Sequence, residues 1–587
     1  MIERILKSLL FALLVGSEAA TAQGVTSSLK GTITDTSGAV VPGAVCTLIE
    51  QATRRTLTAK SWEDGSFTFP NVVPGTYTLR IEAAGFKTLS INDLVVSANE
   101  IRTLGTLVLE VGELKETVSV RAEATAVAVQ LASGERSGLV NGEQLQEMAL
   151  KGRDFWALLT TLPGVVDDYS QPRETVNNRS NRGIYIAGGR ANSKNYSVDG
   201  IYSLNSSNAT TVVQPNLDAI AEVRVLISNY QAEYGRMSSG VISVVTKSGT
   251  RDFRGSAWHN YRHEQLNANS FFNNARGTPK SPYRYRISGY SLGGPVYIPR
   301  HFNTERDRLF FFFSQEFSPI TQDYGTQLAT TPTELERAGN FSQSFDLNGA
   351  LIVIRDPASG QPFPGNVIPA ARFSKVGQAI LNFFPLPNYT DPDPRNRYRY
   401  NLRSTYSARN PLRNEILRLD YNPMPKLSIY YRLARNIQTT YPAWGDWKIG
   451  NNFLLTSLDN KAPGTGHLVQ ATIIFSPTFV NEARFAYTRN PIKSDYTDRS
   501  KVMRSLLGNP PQVYDDPGSP DVAPDVSFGG VPANAIRLSL GPGNWYWRGT
   551  QFTYADSLSK VWSRHSFKAG FHWDYYRAVA MDTRRQW

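Results

Sequence analysis

Apolar and polar residues alternate along most of the chain, and a period of two is typical of β-strands that bury one face. Between residues 24 and 110 the alternating runs are short and are separated by turn residues such as Asp64-Gly65 and Val73-Pro74-Gly75. Turns recur at intervals of about 8–12 residues, which is the spacing of a β-sandwich. The pattern therefore predicts a small sandwich over residues 24–110.

The period changes in residues 122–250. Leucine and methionine residues follow helical spacing between Gly142 and Leu162, and Pro163-Gly164 ends this stretch. Short strand–turn–strand units follow up to Thr246, with a turn at Asp199-Gly200. We predict a mixed α/β domain here.

Residues 251–587 contain longer alternating runs, and 52 of the 66 aromatic residues in the sequence follow residue 250. Alternating strands rich in aromatic residues are what an outer-membrane β-barrel needs. We predict nine antiparallel strands, which include the runs Arg254–Tyr261, Tyr285–Leu292, Leu309–Glu316, Leu417–Tyr421, Ile429–Leu433, His467–Phe475, Glu482–Thr488, Phe552–Leu558 and Ser566–Tyr575.

Residues 113–121 (ELKETVSVR) lie between the first two predicted domains and carry β-branched residues on alternate positions. An extended segment of this kind suits addition to the edge of another protein's sheet. It also suits the last strand of the preceding sandwich, and the residues alone leave both interpretations open.

The first 22 residues have the features of a secretory signal peptide. Arg4 and Lys7 precede the apolar run Leu9–Val15, and Ala20-Thr21-Ala22 is a small-residue cleavage motif. We therefore predict cleavage between Ala22 and Gln23 and export of the protein.

Composition removes several classes of function. A single cysteine, Cys46, excludes intrachain disulfides and cysteine-based zinc sites. The net charge of +12 is spread along the chain, which together with export argues against nucleic-acid binding. Mean hydropathy is −0.33, and after the N-terminal segment no apolar run approaches the ~20 residues of a membrane helix.

Two short motifs look like catalytic or metal sites but lack the required context. Gly289–Gly293 (GYSLG) fits the G-x-S-x-G pattern, but Gly294-Pro295 follows where a helix is needed. His259 and His263, beside Glu264, lack the third ligand of a zinc enzyme. We predict no catalytic, cofactor-binding or metal-binding residues.

The stretches Gly31–Asp35, Asp64–Phe69 and Val73–Leu79 resemble the carboxypeptidase regulatory-like domain. This resemblance implies a transthyretin-like sandwich with a carbohydrate-binding-like fold. It implies an extracytoplasmic adaptor rather than a peptidase, and glycan binding by analogy only.

The next residues resemble TonB-dependent receptors. Glu116, Thr117, Val118, Ser119 and Val120 look like a TonB box, the segment that recruits the energy-coupling protein, although Arg121 stands where the family usually continues with threonine. The resemblance to the plug domain of these receptors rests on Asn192–Gly200, Leu217–Val223, Ala232–Arg236 and Gly240–Thr250. A regulatory-like sandwich ahead of the plug is similar to the Oar-like branch.

This resemblance implies a mainly β fold: the sandwich, a TonB-box-like segment at 113–121, a small α/β plug domain at 122–250, and the first strands of a transmembrane antiparallel β-barrel at 251–587. Transporters of this class have about 22 strands. Nine strands therefore lead us to expect a C-terminally truncated chain.

The implied function is that of a TonB-dependent receptor or transporter in the outer membrane, without enzymatic activity, that imports an extracellular ligand by energy-coupled plug displacement. Its implied partners are a TonB-type coupling protein, outer-membrane lipid and lipopolysaccharide, and a ligand such as a glycan or a peptide. The sandwich would lie on the periplasmic side. The alternatives are a surface binding or adhesion protein without transport, and a non-functional fragment.

Overall fold

The computed structural model describes residues 25–113, 117–121, 133–148, 150–168, 183–190, 192–205, 209–235, 237–275, 277, 279–280, 282–441, 452–453, 456, 458–508, 522–523, 526–528, 534–538, 545–563 and 565–581. The predicted cleavage residues Ala22 and Gln23 lie outside the described residues, as does Glu116 of the TonB-box-like segment.

The N-terminal sandwich has eight strands in two sheets, with strand orders β4-β1-β7 and β3-β2-β5-β6-β8. Strands β1 and β7 pair in parallel, and so do β6 and β8. The strands are β1 Ser27–Asp35, β2 Val45–Glu50, β3 Thr56–Lys60, β4 Ser66–Val72, β5 Gly75–Glu82, β6 Thr88–Val96, β7 Ile101–Leu109 and β8 Thr117–Arg121.

Alternating side chains from both sheets form the sandwich core. Leu29 and Ile33 of β1 are buried in one cluster with Cys46, Leu48 and Phe67. Burial raises the pKa of the Cys46 thiol to about 12, so this cysteine is an unreactive core residue.

The middle domain, residues 133–246, has a five-stranded sheet of order β13-β12-β15-β14-β9 and a separate β10–β11 pair. Its core contains Trp156, whose ring lies 5.0 Å from that of Tyr196. The elements are β9 Arg136–Asn141, α1 Gly142–Glu147, β10 Val165–Asp167, β11 Ile184–Ile186, β12 Asn195–Val198, β13 Ile201–Tyr202, β14 Ile220–Ser228 and β15 Val241–Thr246.

The stretch with helical spacing, Gly142 to Leu162, is not one helix. Helix α1 begins at a capping box formed by Asn141 and Gln144, and two 3-10 helices follow at Lys151–Arg153 and Phe155–Thr161. Gly152, inside the first of these 3-10 helices, has a φ of 71°, which a continuous α-helix does not permit.

The large sheet, formed by strands between residues 254 and 581, is an antiparallel meander of ten strands in nine positions, because β22 and β23 share the place between β20 and β24. The nine predicted runs all lie in these strands. The strands are β16 Arg254–His263, β17 Arg284–Pro295, β18 Leu309–Ala329, β19 Leu402–Met424, β20 Leu427–Thr440, β22 Leu458–Lys461, β23 Gly464–Ser476, β24 Phe479–Tyr496, β26 Trp545–Trp562 and β27 His565–Met581; β21 Asn452–Phe453 and β25 Arg537–Leu538 form a separate pair.

The two ends of the large sheet differ. Tight turns connect β19 to β20, β23 to β24 and β26 to β27 at one end, which we call the short-turn end. The opposite, long-connection end carries the described residues of the connections from β16 to β17, β18 to β19 (residues 330–401), β20 to β22 and β24 to β26. The helices here are α2 Phe271–Ala275, α3 Glu334–Arg337 and α4 Lys375–Phe383, with 3-10 helices at Glu264–Leu266, Pro364–Asn366, Ala370–Arg372, Pro394–Asn396, Arg499–Lys501 and Arg504–Leu507.

The predicted fold class is confirmed: the described chain is mainly β, with a sandwich, a small α/β domain and a large antiparallel sheet. Within the described ranges, no helix has the length and apolar character needed to cross a bilayer.

Candidate functional site

A buried ion pair holds the middle domain on the inner face of the large sheet. Arg432 on β20 donates from Nε to the Asp199 carboxylate at 3.1 Å and from Nη2 to the Val198 carbonyl at 3.0 Å. The two charged side chains are only 2% and 1% exposed. Thr246 donates its backbone N–H and its hydroxyl to the same carboxylate, each at 2.9 Å. A buried charge is tolerated in a protein interior when partners satisfy it in this way.

The turn between β12 and β13 places Asp199 at this position. Val198 pairs with Ile201, so Asp199-Gly200 is a two-residue hairpin turn. The φ angles are 52° at Asp199 and 77° at Gly200. Positive φ at both central residues is typical of a type I′ hairpin turn, and aspartate followed by glycine adopts this conformation readily. The same turn that reverses the chain therefore presents the carboxylate to Arg432.

A second ionic cluster joins the middle domain to the first strands of the large sheet. Arg153 pairs with Asp218 of its own domain and donates from Nε to Glu316 on β18 at 3.2 Å. Trp258 on β16 donates its indole N–H to Glu316 at 2.9 Å, and the Arg153 guanidinium lies 5.4 Å from the centre of the indole ring. One arginine of the middle domain is thus bound by two residues of the sheet.

The remaining contacts between these two parts include several uncharged polar pairs. These are Asn205 with Asn490 at 3.2 Å, the backbone N–H of Gln214 with Asn436 at 3.1 Å, and Ser314 with Asn216 at 3.0 Å. Two small apolar clusters lie beside these polar contacts: Val213 and Ala219 pack with Phe312, Ile416 and Ala434, and Ile201 packs with Tyr430, Leu468 and Ala486. The middle domain is therefore held on the sheet by ion pairs, hydrogen bonds and these two apolar clusters.

The sandwich contacts the middle domain through Glu222 on β14, whose carboxylate accepts a hydrogen bond from the backbone N–H of Ala98. Burial raises the pKa of Glu222 to about 7, while that hydrogen bond and Arg224 act in the opposite direction. A second contact joins the sandwich to the large sheet: the Thr26 hydroxyl donates to Glu482 on β24 at 3.0 Å.

The sandwich lies at the short-turn end of the large sheet. A cavity of about 190 Å³ is lined on one side by Asn71 and Tyr77 of the sandwich. Its other side is formed by Pro425, Lys426 and Pro477, which belong to two of the tight turns. The sandwich and the long connections are therefore on opposite ends of the sheet.

The TonB-box-like segment is strand β8 of the sandwich. Thr117 pairs with Thr88 and the register continues to Arg121, in parallel with β6. The Asn92 amide donates to the Ser119 hydroxyl at 2.9 Å, and Val118 packs against the sandwich core. Of the two interpretations that the sequence left open, the last strand of the sandwich is the one seen in this structure.

Strand β8 is also an edge strand. It has a single neighbour, β6, among the strands that the structure describes. Val120 is 47% exposed on it. An exposed edge of this kind offers unpaired backbone groups to an incoming strand. The role of Thr117, Val118, Ser119 and Val120 as a TonB box stays a prediction.

The other sequence motifs are not brought together. Gly289–Gly293 lies inside β17, His259 contacts Ser288, and His263 lies beside Glu264. In the described parts of the chain no group of three His, Cys, Asp or Glu side chains is placed to hold a metal ion.

Sequence reasoning missed the ionic contacts of the inner face. The sequence predicts a turn at Asp199 and places Arg432 inside the alternating run Ile429–Leu433, and neither pattern indicates an ion pair. A usable signal was present, because a charged residue on the buried face of an alternating strand requires a partner. Arg418, Arg432 and Arg484 all occupy such inward, buried positions.

Two domain families match the sequence. Residues 28–110 match the carboxypeptidase regulatory-like domain. Residues 245–586, more than half of the chain, match the outer membrane beta barrel domain.

Individual proteins are similar over parts of their length. The TonB-dependent transporter Oar of Myxococcus xanthus is 26% identical over 290 residues, which is 47% of this chain and 25% of Oar. The chain thus spans about a quarter of that relative's length. The outer membrane transporter YddB of Escherichia coli has a TM-score of 0.42 and 11% identity, over 76% of this chain and 48% of YddB. A mutant ferric enterobactin receptor PfeA of Pseudomonas aeruginosa, in complex with enterobactin, has a TM-score of 0.40 and 13% identity, over 77% and 50% of the two chains.

Proposed function

The chain belongs to the family of outer membrane beta barrel domains, and from this premise we propose that it acts as a TonB-dependent receptor that imports an extracellular ligand. The ligand binds the long connections and the exposed parts of the middle domain. The coupling protein binds β8 and pulls, and the middle domain leaves the inner face of the large sheet. The ligand is a glycan or a peptide, and no chemical step takes place.

The observation that carries this proposal is the seating of the middle domain by the Asp199–Arg432 ion pair and its polar neighbours. A domain that blocks a transport path has to be fixed in the resting state and released under force. Ion pairs and hydrogen bonds meet both needs, since they are specific when formed and are replaced by water when separated.

The orientation follows from the two ends of the large sheet. Outer-membrane barrels have short turns on the periplasmic side and long loops outside. The sandwich and β8 then face the periplasm, where a coupling protein is available, and the long connections contact the outer surface. Membrane lipid and lipopolysaccharide surround the sheet in this arrangement.

A cross-linking experiment tests the coupling step. Cys46 is buried and is the single cysteine of the sequence, so a photoreactive benzophenone can be attached selectively to Val120→Cys. We expect this protein, in energised cells, to cross-link to the TonB-type coupling protein. The matched control is Val108→Cys on β7, because Val108 is exposed to a similar degree, 49% against 47%. Equal cross-linking from both positions, or none from Val120, would contradict the proposal.

The second candidate is a surface binding protein without transport. The pairing of β8 with β6 favours it, since one edge of the segment is already occupied within the sandwich. Such a protein retains its ligand at the cell surface when the proton motive force is collapsed and never forms the Val120 cross-link. Uptake that stops on addition of an uncoupler excludes this candidate.

A further inference from the structure

The outer face of the large sheet carries rows of aromatic side chains. Asn490 on β24 points inward to the middle domain, so its neighbours Tyr487 and Arg489 point outward. The Tyr487 ring lies 5.3 Å from that of Phe552 on β26, which lies 6.3 Å from that of Tyr575 on β27. One row closer to the short turns, Phe485, Tyr554 and Trp573 repeat this arrangement. Aromatic rows of this kind mark the border of the apolar band of outer-membrane barrels.

Three arginines lie directly beyond the aromatic row, on the side of the long connections. Arg489 pairs in register with Thr550, and Thr550 pairs with Arg577. Arg548 is two residues further along β26 on the same face. Neighbouring strands are about 4.8 Å apart, so the three guanidinium groups fall within one patch roughly 10 Å across. We call these three residues the outer arginine patch.

The patch has no carboxylate partner within the described part of the chain, in contrast to the arginines beside it. Arg413 and Arg435 occupy outward positions on β19 and β20, and both form ion pairs with Glu415, at 2.9 and 3.4 Å. Arg489 and Arg577 are exposed and Arg548 is half-buried. Three positive charges without a counter-charge repel one another, and an anion placed between them relieves that repulsion.

The height of the patch matches the outer surface of a membrane. Arg489 is ten residues from Phe479, where β24 leaves its tight turn. At about 3.3 Å per residue and a strand tilt of about 40°, this corresponds to roughly 25 Å, the height of the apolar band of an outer-membrane barrel. The patch therefore lies where the headgroups of the outer leaflet begin.

We propose that Arg489, Arg548 and Arg577 bind the phosphate groups of a phosphorylated glycolipid of the outer leaflet, with Tyr487, Phe552 and Tyr575 packing against its sugar and the start of its acyl chains. Arginine suits this role because its planar guanidinium donates two parallel hydrogen bonds to a phosphate. The inference rests on the proposed outer-membrane orientation, and it adds a lipid site that is separate from ligand import.

The test measures retention of bis-phosphorylated lipid A by the purified full chain in detergent, using native mass spectrometry. We expect the triple variant Arg489→Gln, Arg548→Gln, Arg577→Gln to bind lipid A at least about tenfold more weakly than the unaltered protein, since charge-assisted hydrogen bonds are lost. The matched control, Arg54→Gln, Lys60→Gln, Arg80→Gln, removes the same charge from exposed positions of the sandwich, at the opposite end of the sheet, and leaves lipid A binding unchanged. Far-UV circular dichroism shows that each variant keeps its β-structure and is folded.

Two further measurements identify the chemical groups of lipid A that the patch binds. Lipid A stripped of phosphate binds weakly to the unaltered protein, whereas inorganic phosphate does not displace bis-phosphorylated lipid A, because the aromatic row contributes to binding. The triple lysine variant, which keeps the charge without the planar group, gives intermediate affinity. Unchanged binding by the folded glutamine variant, or equal binding of phosphorylated and stripped lipid, overturns the proposal. The Val120 cross-link is measured separately, so failure of coupling and failure of this site are distinguishable.

Discussion

Asp199 and Arg432 carry opposite charges that neither domain could bury alone. Removing one partner leaves the other without compensation in a dry site, and this is far more costly than losing a pair at the surface. The stability of the contact between the middle domain and the large sheet therefore depends on both residues being present, rather than on the net free energy of the ion pair.

We expect Arg432→Met to lower the free energy of local opening at β12 by about 3–5 kcal/mol, since the Asp199 carboxylate is then buried unpaired. Hydrogen exchange of the amides of Asn195–Val198 measures this quantity. Arg435→Met on the same strand is the control, and because Arg435 is half exposed its loss costs about 0–1 kcal/mol. Similar hydrogen exchange in both variants would show that the ion pair does not hold the middle domain on the large sheet.

We expect Glu222 to make the docking of the sandwich dependent on pH. Its pKa is raised from 4.5 to about 7 in the docked state. The docked state therefore holds a proton between these two pH values that the undocked state has lost. Docking is strongest below pH 4.5 and weakens as the pH rises through 7, by up to about 1.4 kcal/mol per pH unit.

Exchange at the Ala98 amide, which donates to Glu222, reports on this docking. In Glu222→Gln the amide oxygen replaces the carboxylate as acceptor but does not titrate. We expect the ratio of protection between the unaltered protein and this variant to fall as the pH is raised from 5 to 8. A constant ratio would mean that the Glu222 proton is not linked to docking.

The sequence was sufficient to predict the turn that holds Asp199, but it was not sufficient to identify Arg432 as the partner of Asp199. Asp199-Gly200 was recognised as a turn because local conformation decides it. Its partner Arg432 is 233 residues away, and nothing local distinguishes it from other arginines on alternating strands. Pairing across such a distance depends on which strand the middle domain faces, which is a property of the assembled fold.

Elements with a strong period were predicted best. The nine runs of the large sheet were correct because an antiparallel strand with one face toward lipid and one toward protein alternates strictly. The stretch Gly142–Leu162 kept its helical burial, with Leu145, Leu158 and Leu159 in the core, but Gly152 divides it into short pieces. Periodicity reports which side chains are buried, and backbone continuity is decided by single residues.

Strand β8 gives a prediction at this scale. We expect residues 24–110 to fold as an isolated domain and residues 24–121 to melt roughly 5–10 °C higher, since β8 adds backbone pairing and the burial of Val118. Circular dichroism at increasing temperature measures both.

Val118→Pro in residues 24–121 should melt like the shorter domain, because proline cannot donate to the ladder. Val118→Ala keeps the backbone donor and loses only part of the gain. Equal melting of the two unaltered domains would mean that β8 contributes nothing to the sandwich.

At the scale of the whole molecule, two of the long connections pack together in their described residues, those of 330–401 and those of 497–538. Ile380 and Phe383 of α4 pack against a buried cluster that contains Val502 and Leu507 from another connection. Phe384 is buried with Ile536, and its ring lies 5.1 Å from that of Phe528. Which loops associate could not be read from the sequence, because the contacting residues belong to separate loops far apart in the chain.

Truncation of Phe384 should therefore loosen more than its own loop. We expect Phe384→Ala to cost about 3–5 kcal/mol in this cluster and to expose both residues 330–401 and residues 497–544 to protease. Leu386→Ala is the control, since Leu386 is 48% exposed. Peptide mapping of early cleavage sites gives the answer, and cleavage restricted to residues 330–401 would show that the loops are independent.

Because β8 pairs in parallel with β6, the force needed to separate the two strands depends on the direction in which it acts. Five residue pairs join the strands, from Thr88 with Thr117 to Asn92 with Arg121. A force along the strand axis loads all of these pairs in shear, so they resist together until they fail together. A force across the axis peels them apart one pair at a time and needs far less tension. An axial pull therefore drags the whole sandwich with the segment, whereas a lateral pull strips the strand and leaves the sandwich in place.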